Sequence, residues 1–253
     1  MAGKKNNRKN TVRNASNRPT QFYWVLGAIA VVGASILGYT LYRKPAAPAA
    51  IDAVGGSAPG AGARGYTMGN PNAPIEIIEF ADFECPGCAQ FATVTEPDVR
   101  SRIVDAGLAR YTFYDFPLTQ HKNSPAAHNA AACADDQGKF WQMHDRIFLG
   151  QDQWNTQAAS NPKPFFEQYA RDVGLNVQVW EDCYDDRKHQ GRIMANLAEG
   201  ERRRVGSTPT FIIGEKMYPG ALPYDALKAI VDSAVAASGT AAPAPATDTA
   251  ATK

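Results

Sequence analysis

The 21 residues from Phe22 to Tyr42 contain no charge, and a continuous helix is the structure that suits them. At about 1.5 Å per residue, such a helix measures about 31 Å, which matches the hydrocarbon core of a bilayer. Aromatic residues at both ends of the run suit the two interfaces of a membrane. A helix that is apolar on every side would otherwise need a large protein around it. We therefore predict a transmembrane anchor over residues 21–43.

The charges on either side of this run predict its orientation. Residues 1–20 contain six lysines and arginines and no acidic residue, whereas Arg43 and Lys44 follow the run. By the positive-inside tendency, the N-terminus is cytoplasmic and the rest of the chain is extracytoplasmic, on the periplasmic or extracellular side. A cleaved signal peptide is the alternative, with AAPAA at 46–50 as its cleavage site, although the run is longer than the apolar region of such peptides. A basic head before an apolar span argues against nucleic acid as a partner.

Two segments have the composition of unfolded chain. Residues 44–65 are rich in Ala, Gly and Pro and predict a flexible linker. Residues 238–253 have a similar composition and predict a disordered tail. The folded part is then 66–237, which is the length of one domain.

Within this domain, the hydrophobic pattern predicts an α/β fold. Residues 75–80, IEIIEF, read as a strand that is buried on both faces. A helical stretch follows, then a second strand at 109–118 and a helical insertion over about 120–204. Two short strands from 208 to 220 and a closing helix at 223–237 complete the order. Strands that alternate with helical segments in this way predict a layered α/β architecture.

Cys85 and Cys88 lie where the first predicted strand gives way to a helix, in the sequence CPGC. A sulfur at a helix N-terminus faces unpaired backbone N–H groups and the positive end of the helix dipole, and both favour a thiolate. Cys85 is then the exposed attacking thiol, and Cys88, one turn further along, resolves the mixed disulfide. A structural zinc site would need a second close pair of ligands, but Cys133 and Cys183 are fifty positions apart.

Three blocks, EFADFECPGC, GKFWQMHDRIF and VGSTPTFIIG, occur in this order and resemble the DsbA-like branch of the thioredoxin superfamily. The resemblance implies a thioredoxin fold with an inserted helical domain, and Cys85 and Cys88 as its redox-active pair. It further implies a cis-proline at Pro209, opposite the pair. Thr208, just before it, would contribute the backbone groups that dock a substrate peptide.

The resemblance also implies a buried carboxyl at Glu79, beside Cys88. Burial raises the pKa of a carboxyl group, so Glu79 would exchange a proton with Cys88 near neutral pH. The alternative is a solvated glutamate at the edge of the sheet.

The residues between the cysteines, Pro86 and Gly87, differ from the strongest oxidants of the family, which have a histidine there. Without that cationic donor the thiolate is less stabilised, and we expect the disulfide to be less oxidising. Glu84, which directly precedes Cys85, acts in the same direction if its carboxylate is close to the sulfur. The direction of the reaction therefore stays open.

Cys133 and Cys183 both fall in the predicted helical insertion. Two remaining cysteines in an oxidising compartment usually pair, so we predict a structural Cys133–Cys183 disulfide. Two free, buried thiols are the alternative.

These observations predict a membrane-tethered thiol–disulfide oxidoreductase that acts on exported proteins. It would need a membrane redox partner to reset Cys85 and Cys88, but no organic cofactor and no metal. A reductase is an alternative in the same class, whereas an isomerase would need a dimerisation domain. The competing class is a copper carrier that binds Cu(I) between the cysteines, with Met68 or Met217 as a further ligand.

Overall fold

A computed structural model describes residues 18–42, 48–54 and 58–239 of the 253-residue chain. The chain forms two units, Met1–Ala46 and Ala47–Lys253, and each is described by itself. The predictions of a basic cytoplasmic N-terminus (1–20) and a disordered tail (238–253) fall largely outside the described residues.

The first unit contains one long helix, α1, Arg18–Tyr42. Its segment Phe22–Thr40 has a mean hydropathy of 1.8 and is long enough to cross a membrane. None of that segment is buried against protein. A helix whose apolar side chains lack a protein environment fits the predicted membrane anchor.

The second unit is built on one six-stranded sheet with the order β1-β6-β5-β3-β4-β2. Strands β3 and β4 are parallel, and the other neighbouring pairs are antiparallel. The strands are β1 Ile51–Asp52, β2 Tyr66–Met68, β3 Ile75–Ala81, β4 Ala109–Asp115, β5 Thr210–Ile213 and β6 Lys216–Pro219.

Helical segments alternate with these strands along the chain, in the order that the hydrophobic pattern predicted. After β3 come α2 (Pro86–Gln90) and α3 (Glu96–Val99), with π-helical segments at Phe91–Thr95 and Arg100–Val104. Proline at the start of both α2 and α3 is tolerated, because the first N–H groups of a helix have no partner within it. The insertion between β4 and β5 contains α4 Ser124–Asp135, α5 Phe140–Leu149, α6 Gln151–Trp154, α7 Lys163–Asp172, α8 Val177–Asp185 and α9 Gln190–Arg202. The closing helix is α10, Tyr224–Ser238.

Both faces of the sheet are covered. Phe91, Tyr111 and Leu227 belong to an apolar cluster that joins the sheet to the α2–α3 segment and to α10. On the other face, α9 packs closely because Gly200 carries no side chain. A Cβ there would lie 2.4 Å from the Phe116 ring. The predicted α/β fold with a helical insertion is confirmed.

One part of the segment predicted as a flexible linker lies on the domain. Ile51 and Asp52 pair with Met217 and Lys216 and extend the sheet beyond β6. Further along, the Gly60 N–H donates to Glu199 Oε2 at 2.9 Å. The open edge of β6 and the acceptors on α9 provide partners that the composition of the segment does not indicate.

Candidate active site

The two cysteines of the candidate site, Cys85 and Cys88, lie where the chain passes from β3 into α2. Cys85 is the N-cap residue of α2, with Pro86 directly after it. The Cys88 side chain, one turn further along, has no solvent exposure. Its Sγ accepts a hydrogen bond from the Asp82 N–H at 3.5 Å. Both cysteines are thiols in this structure, which therefore represents the reduced form.

The two sulfurs differ strongly in acidity. A hydrogen bond from the Cys88 side chain lowers the pKa of Cys85 to about 5, against the opposing effect of burial. The Thr208 side chain and the backbone N–H groups of Cys88 and Gly87 lower it further. Burial raises the pKa of Cys88 well above its usual value, and so do its neighbours Cys85 and Glu79. The arrangement thus favours one thiolate, at Cys85, beside one protonated thiol.

The loop before β5 covers the attacking sulfur. The Thr208–Pro209 peptide bond is cis. The Cys85 thiol donates a hydrogen bond to the Thr208 carbonyl at 3.3 Å. A Cβ on Gly87 would lie 3.3 Å from Pro209 Cδ, so the backbones of the two loops approach closely. Cys85 was expected to be exposed, but only 8% of its surface is accessible because this loop lies over it.

The hydroxyl group of Thr208 adds a donor to this loop. Its Oγ1 atom is buried and makes no hydrogen bond to any residue that the structure describes. It is therefore free to donate to a thiolate at Cys85, which fits its effect on the pKa of that sulfur.

Glu79 lies in the middle of the sheet, on β3, and not at a solvated edge. It is 2% exposed, and the Tyr111 hydroxyl of β4 donates a hydrogen bond to its Oε2. Burial is the main cause that raises the pKa of Glu79 well above its usual value, and the negative charge of Glu96 acts in the same direction. The charge of Glu79 in turn raises the pKa of Cys88. An ionised Glu79 therefore disfavours the ionisation of Cys88.

The Glu84 carboxylate is engaged with the insertion. Its Oε2 accepts a hydrogen bond from the Asn123 N–H at 2.9 Å, and its Oε1 accepts one from the Thr156 N–H. Both partners lie in the insertion or at its start, so the carboxylate holds the insertion to the CPGC loop. The strongest influences on the pKa of Cys85 are its hydrogen bonds to Cys88 and Thr208 and its burial.

Gln151 is a residue of the site that the sequence did not indicate. From α6, its Nε2 donates to the carbonyl of Phe83 at 2.7 Å and to that of Cys85 at 3.0 Å. The amide thus fixes the backbone at the beginning of α2. The separation of 66 positions between Gln151 and Cys85 left no local signal of this contact.

The other two cysteines connect two helices of the insertion. Cys133 of α4 and Cys183 of α8 are joined, with 2.04 Å between their sulfurs. Both are buried. His189 Nε2 lies near enough to complete a set of three metal ligands with them, but the sulfurs are committed to each other.

The methionines considered as copper ligands lie apart from the active pair. Met68 packs against the apolar cluster beside α10, and Met217 belongs to the cluster on the α9 face. Cys85 and Cys88 belong to a third cluster, which they share with the insertion.

Comparison with known proteins identifies one matching family and several relatives. A family model described as Thioredoxin matches residues 63–233. The chain is 34% identical over 174 residues to the Na(+)/H(+) antiporter NhaA 3 of Salinispora tropica, an alignment that covers 68% of this chain and 25% of that protein. It is 28% identical over 119 residues to the probable disulfide bond formation protein D of Bacillus anthracis, covering 42% of this chain and 55% of the relative. The chain thus spans about a quarter to a half of the length of these relatives.

Two solved structures share the fold. BdbD from Bacillus subtilis, in its oxidised form, superimposes with a TM-score of 0.62 at 21% identity, covering 74% of this chain and all of that chain. The α-DsbA1 protein of Wolbachia pipientis gives a TM-score of 0.62 at 21% identity, covering 69% of this chain and 92% of that chain.

Proposed function

Because this chain belongs to the thioredoxin family and has the fold of DsbA-type proteins, we propose that it is a membrane-anchored thiol–disulfide oxidoreductase acting on exported proteins. The observation that carries the proposal is the unequal pair of sulfurs. The pKa of Cys85 is lowered to about 5, whereas that of the buried Cys88 is raised. A pair of this kind presents one attacking or leaving thiolate and keeps its partner protonated until it is needed.

In the oxidising direction, the reaction begins when a substrate thiolate attacks Sγ of Cys85 in the Cys85–Cys88 disulfide. The bond between the two enzyme sulfurs breaks, and Cys88 leaves with the electron pair and takes up a proton. A second thiolate of the substrate then attacks the substrate sulfur of the mixed disulfide. The substrate gains its disulfide, and Cys85 leaves as a thiolate with two electrons now on the enzyme pair.

Glu79 is the group that supplies the proton to Cys88. Burial raises the pKa of Glu79 and so favours its protonated form, and the carboxyl donates its proton as negative charge develops on Cys88. In the reducing direction the same group accepts the Cys88 proton.

Thr208 lies where a substrate peptide would dock. Its carbonyl accepts a hydrogen bond from Cys85 while that thiol is protonated. When this sulfur is ionised or bonded to substrate, the carbonyl is released and accepts an N–H of the substrate backbone. This contact positions the substrate cysteine against Cys85.

The apolar helix α1 supports a location at the membrane, with the catalytic domain extracytoplasmic. A membrane redox partner would return the pair to its starting state: a quinone-linked oxidase if this protein forms disulfides, an electron donor if it reduces them. Protease is added to spheroplasts, or to intact cells of a species that has no outer membrane. It should digest the domain at 66–237 and spare the N-terminus. Protection of the domain would contradict this orientation.

The direction of the reaction is measured by the reduction potential of the full chain in detergent micelles, equilibrated with glutathione. The low pKa of Cys85 stabilises the reduced pair, in which Cys85 is a thiolate, and we therefore expect an oxidising value. A potential of about −120 mV supports disulfide formation, and one of about −270 mV supports disulfide reduction. The absence of a reversible Cys85–Cys88 couple would reject the proposed function.

A further inference from the structure

A cluster of ionisable side chains is buried between α3 and α5. The side chains of Glu96 and His144 have no solvent exposure. Arg100 donates to Glu96 Oε1 from Nε at 2.8 Å and to both carboxylate oxygens of Asp145. The Asp145 side chain is 52% exposed, so the cluster reaches from the interior to solvent.

Two atoms in this cluster face each other without a partner. Glu96 Oε2 and His144 Nε2 are buried, and neither makes a hydrogen bond to any described residue. They lie 3.8 Å apart. Buried polar atoms normally have partners, because an unpaired one has lost its hydrogen bonds to water without replacement. Two such atoms side by side therefore call for a functional explanation.

The second ring nitrogen of His144, Nδ1, indicates that one proton is missing between Glu96 Oε2 and His144 Nε2. His144 Nδ1 lies 2.8 Å from Asp145 Oδ1. Since an ionised carboxylate only accepts, Nδ1 carries a proton here, and in a neutral ring Nε2 is then an acceptor. Two acceptors, Nε2 and Glu96 Oε2, face each other, and one additional proton satisfies both of them. The pair is thus a site for a single proton.

A metal ion does not suit the same place. Glu96, His144 and Asp145 offer ligand atoms close enough together to hold one. However, the Arg100 guanidinium bonds to both carboxylates and lies 3.4 Å from His144 Nδ1, so a fixed positive charge already occupies the centre of the cluster. Five aromatic rings surround His144: Phe83, Phe113, Phe140, Trp141 and Phe148.

The cluster is coupled electrostatically to the active pair through Glu79. After burial, the charge of Glu96 is the strongest influence on Glu79, and Arg100 acts on it in the opposite direction. The same two charges act on Tyr111, which donates the hydrogen bond to Glu79. A proton bound between Glu96 and His144 cancels the negative charge that acts most strongly on Glu79.

We propose that Glu96 and His144 bind a proton from solvent as Glu79 gives its own proton to Cys88. This inference rests on the proposed function. In the oxidising direction, the bond between Cys85 and Cys88 breaks, Cys88 takes the carboxyl proton of Glu79, and Glu79 becomes a buried anion. The proton that enters beside Asp145 and binds between Glu96 and His144 compensates that charge. Neither residue touches a sulfur, so both are positioning residues that act through Glu79.

The charged groups of every neighbouring element are consistent with this role. Glu96 is faced by Glu79 of β3, by Tyr111 of β4, and by His144 of α5, with Arg100 one turn along its own segment. Helix α10 also packs near α3, but its Lys228 pairs with Asp232 of the same helix. Arg102 stacks on Tyr224 and pairs with Asp98 on its own side of the helix.

The experiment is a double-mutant cycle on the full chain in detergent micelles. The oxidised protein reacts with glutathione from pH 5 to pH 9, and the mixed disulfide is quantified by acid quench and mass spectrometry. The four proteins are wild type, His144→Gln, Glu79→Gln and the double variant. Glutamine at 144 retains a hydrogen-bond donor for Glu96 but does not titrate. His189→Gln, on the far side of the insertion, is the control and should react like wild type.

We expect His144→Gln to slow the reaction about tenfold at pH 7 and to alter its pH profile. In the Glu79→Gln background, where no anion forms, the same substitution should cause no further loss. Losses that multiply in the double variant, or an unchanged rate in His144→Gln, overturn the inference.

A second variant, at a surface position, keeps the test decisive if His144→Gln does not fold. Asp145→Asn removes the charge that holds the His144 proton, at a half-exposed position. It should slow the reaction a fewfold with Glu79 present and not at all in Glu79→Gln, and equal effects in the two backgrounds reject the inference. If wild type itself fails to react with glutathione, the proposed function fails. If it reacts but the cycle is additive, only the inference fails.

Discussion

Cys85 Sγ lies 3.3 Å from the carbonyl oxygen of Thr208, although 123 positions separate these residues in the chain. A protonated Cys85 thiol donates to this carbonyl, whereas an ionised sulfur has no proton to donate. Ionisation of Cys85 therefore releases a backbone acceptor directly beside the reactive sulfur. The contact links the charge of Cys85 to the availability of the proposed docking position.

The lowered pKa of Cys85 predicts a pH-dependent stability of the reduced protein. The folded-state pKa of Cys85 is about 5, against an ordinary cysteine value of 9.0. A depressed pKa contributes stability that is complete above the unfolded-state pKa and is lost as the pH falls through the folded-state value. At pH 7 the contribution is about 2.7 kcal/mol, and at pH 4 it is about zero. The oxidised protein has no Cys85 thiolate and lacks this contribution.

The measurement is denaturant unfolding of the reduced and oxidised proteins at pH 4 and pH 7. The free energy of unfolding of the reduced form, relative to the oxidised form, should rise by about 2.7 kcal/mol between the two pH values. Cys85→Ser should remove this dependence in the reduced protein. A difference that does not change with pH would show that Cys85 titrates normally.

Glu79→Gln tests the proton donor. A neutral amide cannot donate a proton to Cys88, so we expect the reaction of the disulfide with glutathione at pH 7 to slow by about 100-fold. Glu76→Gln is the matched control, because Glu76 lies on the same strand but pairs with Arg110 near the surface. Equal rates for Glu79→Gln and wild type across the pH range would exclude this role.

The free energy of unfolding provides a second measurement on Glu79, because the raised pKa of its carboxyl fixes the direction in which stability changes with pH. Since the pKa of Glu79 is raised in the folded state, the folded protein binds the extra proton, and its stability falls as the pH rises above about 4.3. Glu79→Gln lacks this loss. The variant should therefore gain stability relative to wild type between pH 4 and pH 8, and a constant difference would contradict the raised pKa.

The sequence predicted the parts of the site that depend on neighbours in the chain. A buried strand followed by CPGC at a helix start places Cys85 and Cys88 by local rules. The family match confirms that the chain belongs to the thioredoxin family. The contacts that tune the pair join distant positions. Tyr111 reaches Glu79 across 32 positions and His144 reaches Arg100 across 44. Only the register of the sheet and the packing of the insertion determine such pairs.

Gly87→His tests why this motif differs from the strongest oxidants. A Cβ at position 87 would lie 3.8 Å from Cys85 Sγ, so a side chain begins beside the sulfur. A histidine there adds a donor for the thiolate and stabilises the dithiol. The reduction potential should become more oxidising by about 30 mV for each unit by which the pKa of Cys85 falls. Gly87→Ala makes the same contact with Pro209 without the donor, and a similar shift in both variants would assign the effect to packing.

Gln151→Ala removes the two hydrogen bonds that fix the start of α2. The carbonyls of Phe83 and Cys85 lose their donor, and we expect the free energy of unfolding to fall by about 1–3 kcal/mol. The loosened helix start should also raise the pKa of Cys85, measured by thiolate absorbance at 240 nm. Gln153→Ala, exposed on the same helix, is the control. An unchanged thiolate titration would limit Gln151 to a role in stability.

Removal of the second cysteine pair separates a structural role from a redox role. Cys133 and Cys183 close a loop of fifty positions between α4 and α8. In the chain-entropy model, a cross-link over such a loop stabilises the fold by about 4 kcal/mol. The double variant Cys133→Ala/Cys183→Ala should lose stability of this order in denaturant unfolding, because both sites are buried and alanine adds no strain. Its reduction potential at Cys85–Cys88 and its rate with glutathione should equal those of wild type at a temperature where it is folded. A stable variant with an altered potential would instead show that the second pair exchanges electrons with the first.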